Sequence, residues 1–281
     1  MVELAAVELV EGISGRIQPG PGDRILWLHG YTLDSSSWSE MWRRLPGWHH
    51  IGIDLPGHGA SAPIWPGLNL QVLARRLGQF CQKENVRHIV ALSFGTQTAT
   101  QLAIEYPSYF SSVILGAPSL AGGPQDPRIG STYAKLQQLY HEEGPGPAMK
   151  SLWMSCVAWN GVKEVPGLEQ KLGALVARHR WEELRNAAMM QFFEPPQREE
   201  DLRRIRSPVL LLVGELEMQA FRECAAILER CLPLCRRHEL PRTHHLCMLE
   251  SPALSAPPIE AHLRAHAAQQ PPVDGTGRVV T

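Results

Sequence analysis

The sequence predicts an α/β fold, a mostly parallel doubly wound sheet with a helical insertion, and three observations predict it. Five short apolar runs recur along the chain, Ile25–Leu28, Ile51–Ile53, His88–Leu92, Val113–Leu115 and Val209–Val213, each stopping at a glycine or a polar residue. Runs apolar on both faces belong to strands covered on both faces, the setting of a parallel sheet. Between the runs, apolar residues recur at helical spacing, and strands alternating with helices build crossover units. Finally, a chain of 281 residues with 44% hydrophobic and 20% charged residues can fill a core on both sides of such a sheet.

In chain order, the opening segment alternates as two short strands and breaks at Pro19-Gly20-Pro21-Gly22, a strong turn cluster. Ile25–Leu28 then leads into His29-Gly30, and Ile51–Ile53 into Asp54. Leu70, Leu73, Leu77 and Phe80 line one face of a helix. His88–Leu92 ends at Ser93, and the helical pattern from Thr96 to Tyr106 stops at Pro107. After Val113–Leu115 the strand signal vanishes from about Ala121 to Arg206, where helix-like patterns are interrupted at Gly144-Pro145-Gly146-Pro147 and Pro195-Pro196. The division predicted is a core of residues 1–120 and 207–267, a helical cap of residues 121–206, and a disordered tail of residues 268–281. Ordinary packing accounts for most aromatic and Met residues of the cap; Trp153, Trp159, Met189 and Phe192 are singled out as lining an apolar substrate pocket.

Composition excludes several function classes. Lys plus Arg total 27 against 28 Asp plus Glu, a formal net charge of -1, with no clustered positive face to suit nucleic acid or an anionic membrane. Arg203, Arg204 and Arg206 follow Glu199, Glu200 and Asp201 and read as a solvated helix end. None of the six cysteines forms a Cys-x-x-Cys pair, so neither a zinc site nor any other metal is expected. The first residues carry Glu3, Glu8 and Glu11 where a signal peptide needs a basic and then an apolar segment, and no apolar run has the length of a membrane span. The expected setting is cytoplasmic and reducing, with free thiols.

The chemistry collects at the strand ends, where ligands bind in open α/β sheets. Ala91-Leu92-Ser93-Phe94-Gly95 sits between a strand and a helix, and small residues on either side of the serine allow a sharp turn and close helix–strand packing. A serine there is either a nucleophile or an N-cap. A nucleophilic serine needs a base, because a neutral hydroxyl is a weak nucleophile. Among 12 histidines, His244 and His245 lie after the last apolar run, and Glu215 and Glu217 follow its end, as candidate base and acid.

These motifs resemble the α/β-hydrolase family over about Ile25 to His266. The elbow resembles Gly-x-Ser-x-Gly with Ala91 in the first place, and Asp54-Leu55-Pro56-Gly57-His58-Gly59-Ala60-Ser61 resembles the family loop Asp-x-x-Gly-x-Gly-x-Ser. His245 to Pro252 is similar to the family's His, apolar run and Glu-x-Pro, with His244 in place of a small residue, and Val209–Glu217 to its apolar strand followed by Gly-x-x-Asp. The resemblance implies Ser93 as nucleophile, His245 as base and Glu217 as the orienting acid, in the chain order of this fold. It implies an oxyanion hole from the backbone N–H groups of Tyr31 and Phe94, with both side chains beside the acyl pocket and His29 structural. Asp54 and His58 are read as loop residues rather than a catalytic or metal pair.

The function expected is hydrolysis of an ester or thioester of an apolar acyl group through an acyl-enzyme, without cofactor, on a small-molecule or carrier-bound substrate. C–C bond hydrolysis, acyl transfer and non-enzymatic ligand binding are the alternatives. Haloalkane dehalogenases and epoxide hydrolases are disfavoured because their elbow nucleophile is Asp.

Overall fold

The computed structural model describes residues 4–185 and 188–267; the expected tail, residues 268–281, lies outside the described residues. Eight strands are present: β1 (Val7–Val10), β2 (Ile13–Gln18), β3 (Arg24–Leu28), β4 (His49–Ile53), β5 (Val86–Leu92), β6 (Ser112–Gly116), β7 (Val209–Gly214) and β8 (Cys235–Leu240). They form one sheet in the order β1-β2-β4-β3-β5-β6-β7-β8. The pairs β1–β2 and β2–β4 are antiparallel, and every later pair is parallel. All five apolar runs are strands of the parallel part.

The alternation of side chains along these strands explains why the runs have no polar face. Leu26, Leu28, Ile89, Ala91, Val113, Leu115, Leu211 and Val213 enter one buried cluster; Ile25, Trp27, Val90, Leu92, Ile114, Leu210 and Leu212 enter a second on the opposite face. The first face is covered by α2 (Leu70–Lys83), α3 (Phe94–Glu105) and α10 (Gln219–Cys231), through Leu73, Leu77, Leu102 and Leu228. The second is covered by α1 (Ser39–Arg44) and α12 (Pro252–His266), through Met41, Trp42, Ile259 and Leu263. Helix α2 begins where Asn69 accepts the Val72 N–H at 2.9 Å and buries the 70, 73, 77 stripe read from the sequence. Phe80 is only half-buried.

Between β6 and β7 the described residues contain helices and no strand: α4 (Pro127–Glu143), α5 (Pro147–Met154), α6 (Asn160–Glu164), α7 (Leu168–Val176), α8 (Ala188–Phe192) and α9 (Glu199–Leu202). Leu136, Met149, Val162 and Leu172 of α4 to α7 enter the buried cluster of the second face, whereas Met189 and Phe192 of α8 and Leu202 of α9 enter that of the first. Gln197 accepts the Ala121 N–H at 3.1 Å and ties this insertion to α3 by donating to the Gln97 carbonyl at 2.8 Å. A short α11 (Cys247–Glu250) precedes α12. The six cysteines are free thiols, and no helix among the described residues is long and apolar enough to cross a membrane.

Burial on the second face makes the fold acid-sensitive. His50, fully buried, stacks on Trp42, accepts from the Trp27 Nε1–H at 3.1 Å and donates to the Leu45 carbonyl at 2.9 Å. Its neutral form thus has both ring nitrogens satisfied, and burial lowers its pKa to about 4. Between pH 6.5 and about 4 the unfolded chain binds a proton that the native chain does not, so stability is full above pH 6.5 and falls as pH drops through this window. The expected loss from this histidine is about 3 kcal/mol, and His262, also lowered to about 4 by burial, adds to it, so urea unfolding at pH 7 and pH 4 should show a loss of at least that size. An unfolding free energy that stays constant across that range would contradict it.

Candidate active site

Strand β5 delivers Ser93 into a sharp turn with φ 50° and ψ -119°, a conformation costing a non-glycine residue about 1–3 kcal/mol. The turn is fixed from several sides. The Ser93 N–H donates to the Gly116 carbonyl at 2.9 Å, and the Ser93 carbonyl accepts from the Thr96 hydroxyl at 2.5 Å and the Ser119 hydroxyl at 3.1 Å. A Cβ on Gly95 would lie 2.6 Å from the Leu28 carbonyl oxygen and 2.7 Å from that of His29, so only glycine lets α3 start this close to β3.

The other two residues come from the ends of β7 and β8. The Ser93 Oγ lies 2.7 Å from His245 Nε2, and His245 Nδ1 lies 3.0 and 3.1 Å from the two oxygens of Glu217. With Nδ1–H donating to the carboxylate, Nε2 is left to accept the serine proton. The Glu217 side chain is fully buried and also accepts the Met218 N–H at 2.8 Å, while Phe221 packs against the imidazole with centroids 4.2 Å apart. A Cβ on Gly214 would lie 2.4 Å from the carbonyls of both Thr243 and His244, which is how the histidine loop passes close to the end of β7.

The competing residues stand elsewhere. Glu215 accepts the Arg242 N–H and is exposed. The His244 imidazole lies 3.8 Å from both Glu164 and Glu250, away from Ser93. His29 accepts the Leu55 N–H on Nε2 at 2.9 Å and donates from Nδ1 to the Gly30 carbonyl at 2.8 Å. Asp54 accepts the Ala60 N–H within its loop and the Ser35 N–H from the segment after β3, and His58 donates to the Pro56 carbonyl.

Tyr31 and Phe94 flank the serine, with ring centroids 5.7 Å apart. Among the described residues no turn or loop hydrogen bond takes up their backbone N–H groups, and a Cβ on Gly30 would lie 3.7 Å from that of Ser93, placing this turn against the nucleophile candidate. Of the four cap residues expected to line a pocket, Trp153 packs on Tyr31 at 5.2 Å and Phe192 on Phe94 at 6.2 Å. Met189 shares the buried cluster of Phe94 and Phe192, whereas Trp159 touches Trp153 one layer further out. A cleft of about 690 Å³ opens between the cap and the core loop at Pro63 and Ile64, lined also by Tyr140, Arg180 and Glu183 and by none of those four.

Three contributors escaped the sequence. Glu250, quoted there only as part of Glu-x-Pro, accepts the N–H groups of His244 at 2.6 Å and Leu246 at 2.9 Å, holding the chain on either side of His245. Burial raises its pKa, and those same N–H groups offset this in part. Glu183 accepts the Tyr31 hydroxyl at 2.5 Å and lies 2.9 Å from His179 Nε2. Thr32 accepts from the Trp153 indole at 2.8 Å. The acid before Pro252 carries a usable spacing signal; the Glu183–Tyr31 and Thr32–Trp153 contacts carry none, because each joins residues more than 100 positions apart.

A mostly parallel sheet with a strained serine at the end of β5, an acid after β7 and a histidine after β8 defines the α/β-hydrolase architecture. Residues 25–257 match the model of the alpha/beta hydrolase family, and the chain belongs to that family. Among solved structures it is similar to MenH from S. aureus, with a TM-score of 0.78 and 19% identity over 90% of this chain and 98% of that one. It is also similar to carboxylesterase CesB from Bacillus subtilis, with a TM-score of 0.73 and 17% identity over 94% and 92%. At these identities the likeness is one of fold. The chain is 35% identical over 112 residues to monoacylglycerol lipase ABHD6 of Homo sapiens, a match covering 38% of this chain and 33% of that protein. The matched stretch thus spans about a third of that relative's length.

Proposed function

We propose that the protein is a serine hydrolase that cleaves an ester or thioester of an apolar acyl group. The observation that carries this reading is the continuous relay from the Ser93 hydroxyl through His245 to the buried Glu217 carboxylate, with links of 2.7 and 3.0 Å. His245 Nε2 takes the proton as Ser93 attacks the carbonyl, and Glu217 stabilises the imidazolium that forms. The N–H groups of Tyr31 and Phe94 receive the oxyanion, each worth roughly 3–4 kcal/mol of barrier. His245 then protonates the departing alkoxide or thiolate, and water activated by the same nitrogen releases the acid from Ser93.

The acyl preference follows from the surroundings. Tyr31, Phe94, Trp153 and Phe192 form an aromatic wall beside Ser93, suited to a small-molecule or carrier-bound acyl chain without charge. The similarity to a protein named as a monoacylglycerol lipase agrees with such a substrate. The test is a panel of acyl esters and thioesters of graded chain length, combined with a fluorophosphonate probe and mass mapping of the adduct. Turnover that rises with acyl length and a single adduct on Ser93 are expected. A stable, folded protein that takes no probe and turns over no ester would refute the proposal.

A further inference from the structure

We infer that the cap holds the oxyanion turn in its working conformation, with Trp153 and Glu183 as positioning residues; this rests on the acyl-transfer reading above. The turn spans Gly30 to Leu33, closed by the Leu33 N–H on the Gly30 carbonyl at 3.2 Å, and its third residue, Thr32, has φ 64°. Positive φ at that position ordinarily calls for glycine or asparagine, and a β-branched residue there is an outlier that its surroundings must hold.

Two cap side chains supply the hold. The Trp153 indole N–H donates to the Thr32 hydroxyl oxygen at 2.8 Å, and that hydroxyl donates to the Tyr31 carbonyl at 2.6 Å, so the indole fixes the peptide next to the proposed oxyanion donor. On the other side of the same residue, the Tyr31 hydroxyl donates to Glu183, whose side chain is 1% exposed and is held in turn by His179. Burial and the neighbouring carboxylate push the Tyr31 phenol well above its usual range. Burial alone would raise the Glu183 carboxyl, but His179 and the Tyr31 hydroxyl outweigh it and keep it low. At neutral pH the phenol is therefore the donor and the carboxylate the acceptor. The Tyr31 ring is also enclosed by Trp153, Phe94 and Tyr133, so ring and backbone shift together. A cap displaced from the body would release both ties and let the turn relax, moving the Tyr31 N–H away from the oxyanion.

Steady-state kinetics on the best ester of the panel test this in the full chain, with Trp153→Phe, Tyr31→Phe and the double variant Trp153→Phe/Thr32→Gly. Each single variant is expected to lower kcat by about tenfold or more, a larger factor than any rise in KM from trimming the aromatic wall, since a misplaced donor weakens only the transition state. A boronic acid, whose adduct on Ser93 is a tetrahedral anion, should lose affinity by the same factor, while the product acid should not. Glycine at position 32 accepts positive φ unaided, so the double variant should regain most of the loss from Trp153→Phe. Gln197→Ala, which removes the hydrogen bond to the Gln97 carbonyl and leaves the Trp153–Thr32 and Tyr31–Glu183 ties in place, is the control and should lower Tm with kcat within about twofold. Losses confined to KM, reproduced by Gln197→Ala, or not recovered by Thr32→Gly overturn the inference, as does an unchanged kcat. A parent protein that takes no fluorophosphonate and turns over nothing overturns the acyl-transfer reading and this inference with it.

Discussion

Ser93→Ala is expected to lower kcat for ester turnover by about a millionfold while leaving the fold intact. The size follows from chemistry: without the hydroxyl no acyl-enzyme forms, and what survives is direct attack by water helped by the oxyanion donors and by binding, a residual of roughly a thousandfold or more over solution. The fold should tolerate the change because the Ser93 side chain makes one hydrogen bond, to His245, and because the turn is secured through backbone contacts with Gly116, Thr96 and Ser119. Alanine keeps a Cβ at φ 50°, so the backbone cost is unchanged. The measurements are pre-steady-state kinetics with substrate in excess, where any acyl-enzyme burst should vanish, and denaturant unfolding, where the free energy should stay within about 1 kcal/mol. Activity within a hundredfold of the parent would mean that another group carries the reaction.

The legibility of this molecule in its sequence follows from where each residue stands in the sheet. Strands β3 to β7 were readable because they are buried on both faces, which leaves continuous apolar runs with abrupt polar ends. The β8 segment Cys-Arg-Arg-His-Glu-Leu was not: it pairs only with β7 at the edge of the sheet, and Arg237 meets Glu229 and Glu239 at the surface. An edge strand need not be apolar, and charges there also discourage pairing with a second sheet. A parallel sheet brings all strand C-termini to one rim, which placed Ser93, the two histidines and the two glutamates in one neighbourhood, and the choice of His245 over His244 and of Glu217 over Glu215 came from the resemblance to the family. Trp153–Thr32 and Glu183–Tyr31 were not, since contacts between insertion and body depend on how the insertion docks, which no local pattern encodes.

Glu217→Gln is expected to lower kcat by about ten-thousandfold with little change in KM, a larger effect than its distance from the substrate suggests. The carboxylate accepts two N–H groups at once, from Met218 and from His245 Nδ1. Oε1 takes the Met218 N–H and lies 3.0 Å from Nδ1, with Oε2 3.1 Å from the same nitrogen; in the amide one of those two positions becomes an NH₂ that donates toward Nδ1, which favours Nδ1 as an acceptor. The proton then sits on Nε2, aimed at Ser93, and the histidine can no longer take the serine proton. The negative charge that stabilises the imidazolium is lost as well. Glu217→Asp keeps the charge but shortens the reach by one methylene, and its loss should be intermediate. Glu215→Gln should stay within about twofold, since Glu215 is exposed and serves the Arg242 N–H. Rates for the three variants, with Ser93 labelling as a count of intact sites, decide the matter. A Glu217→Gln protein within tenfold of the parent would show that the buried carboxylate holds the loop rather than the tautomer.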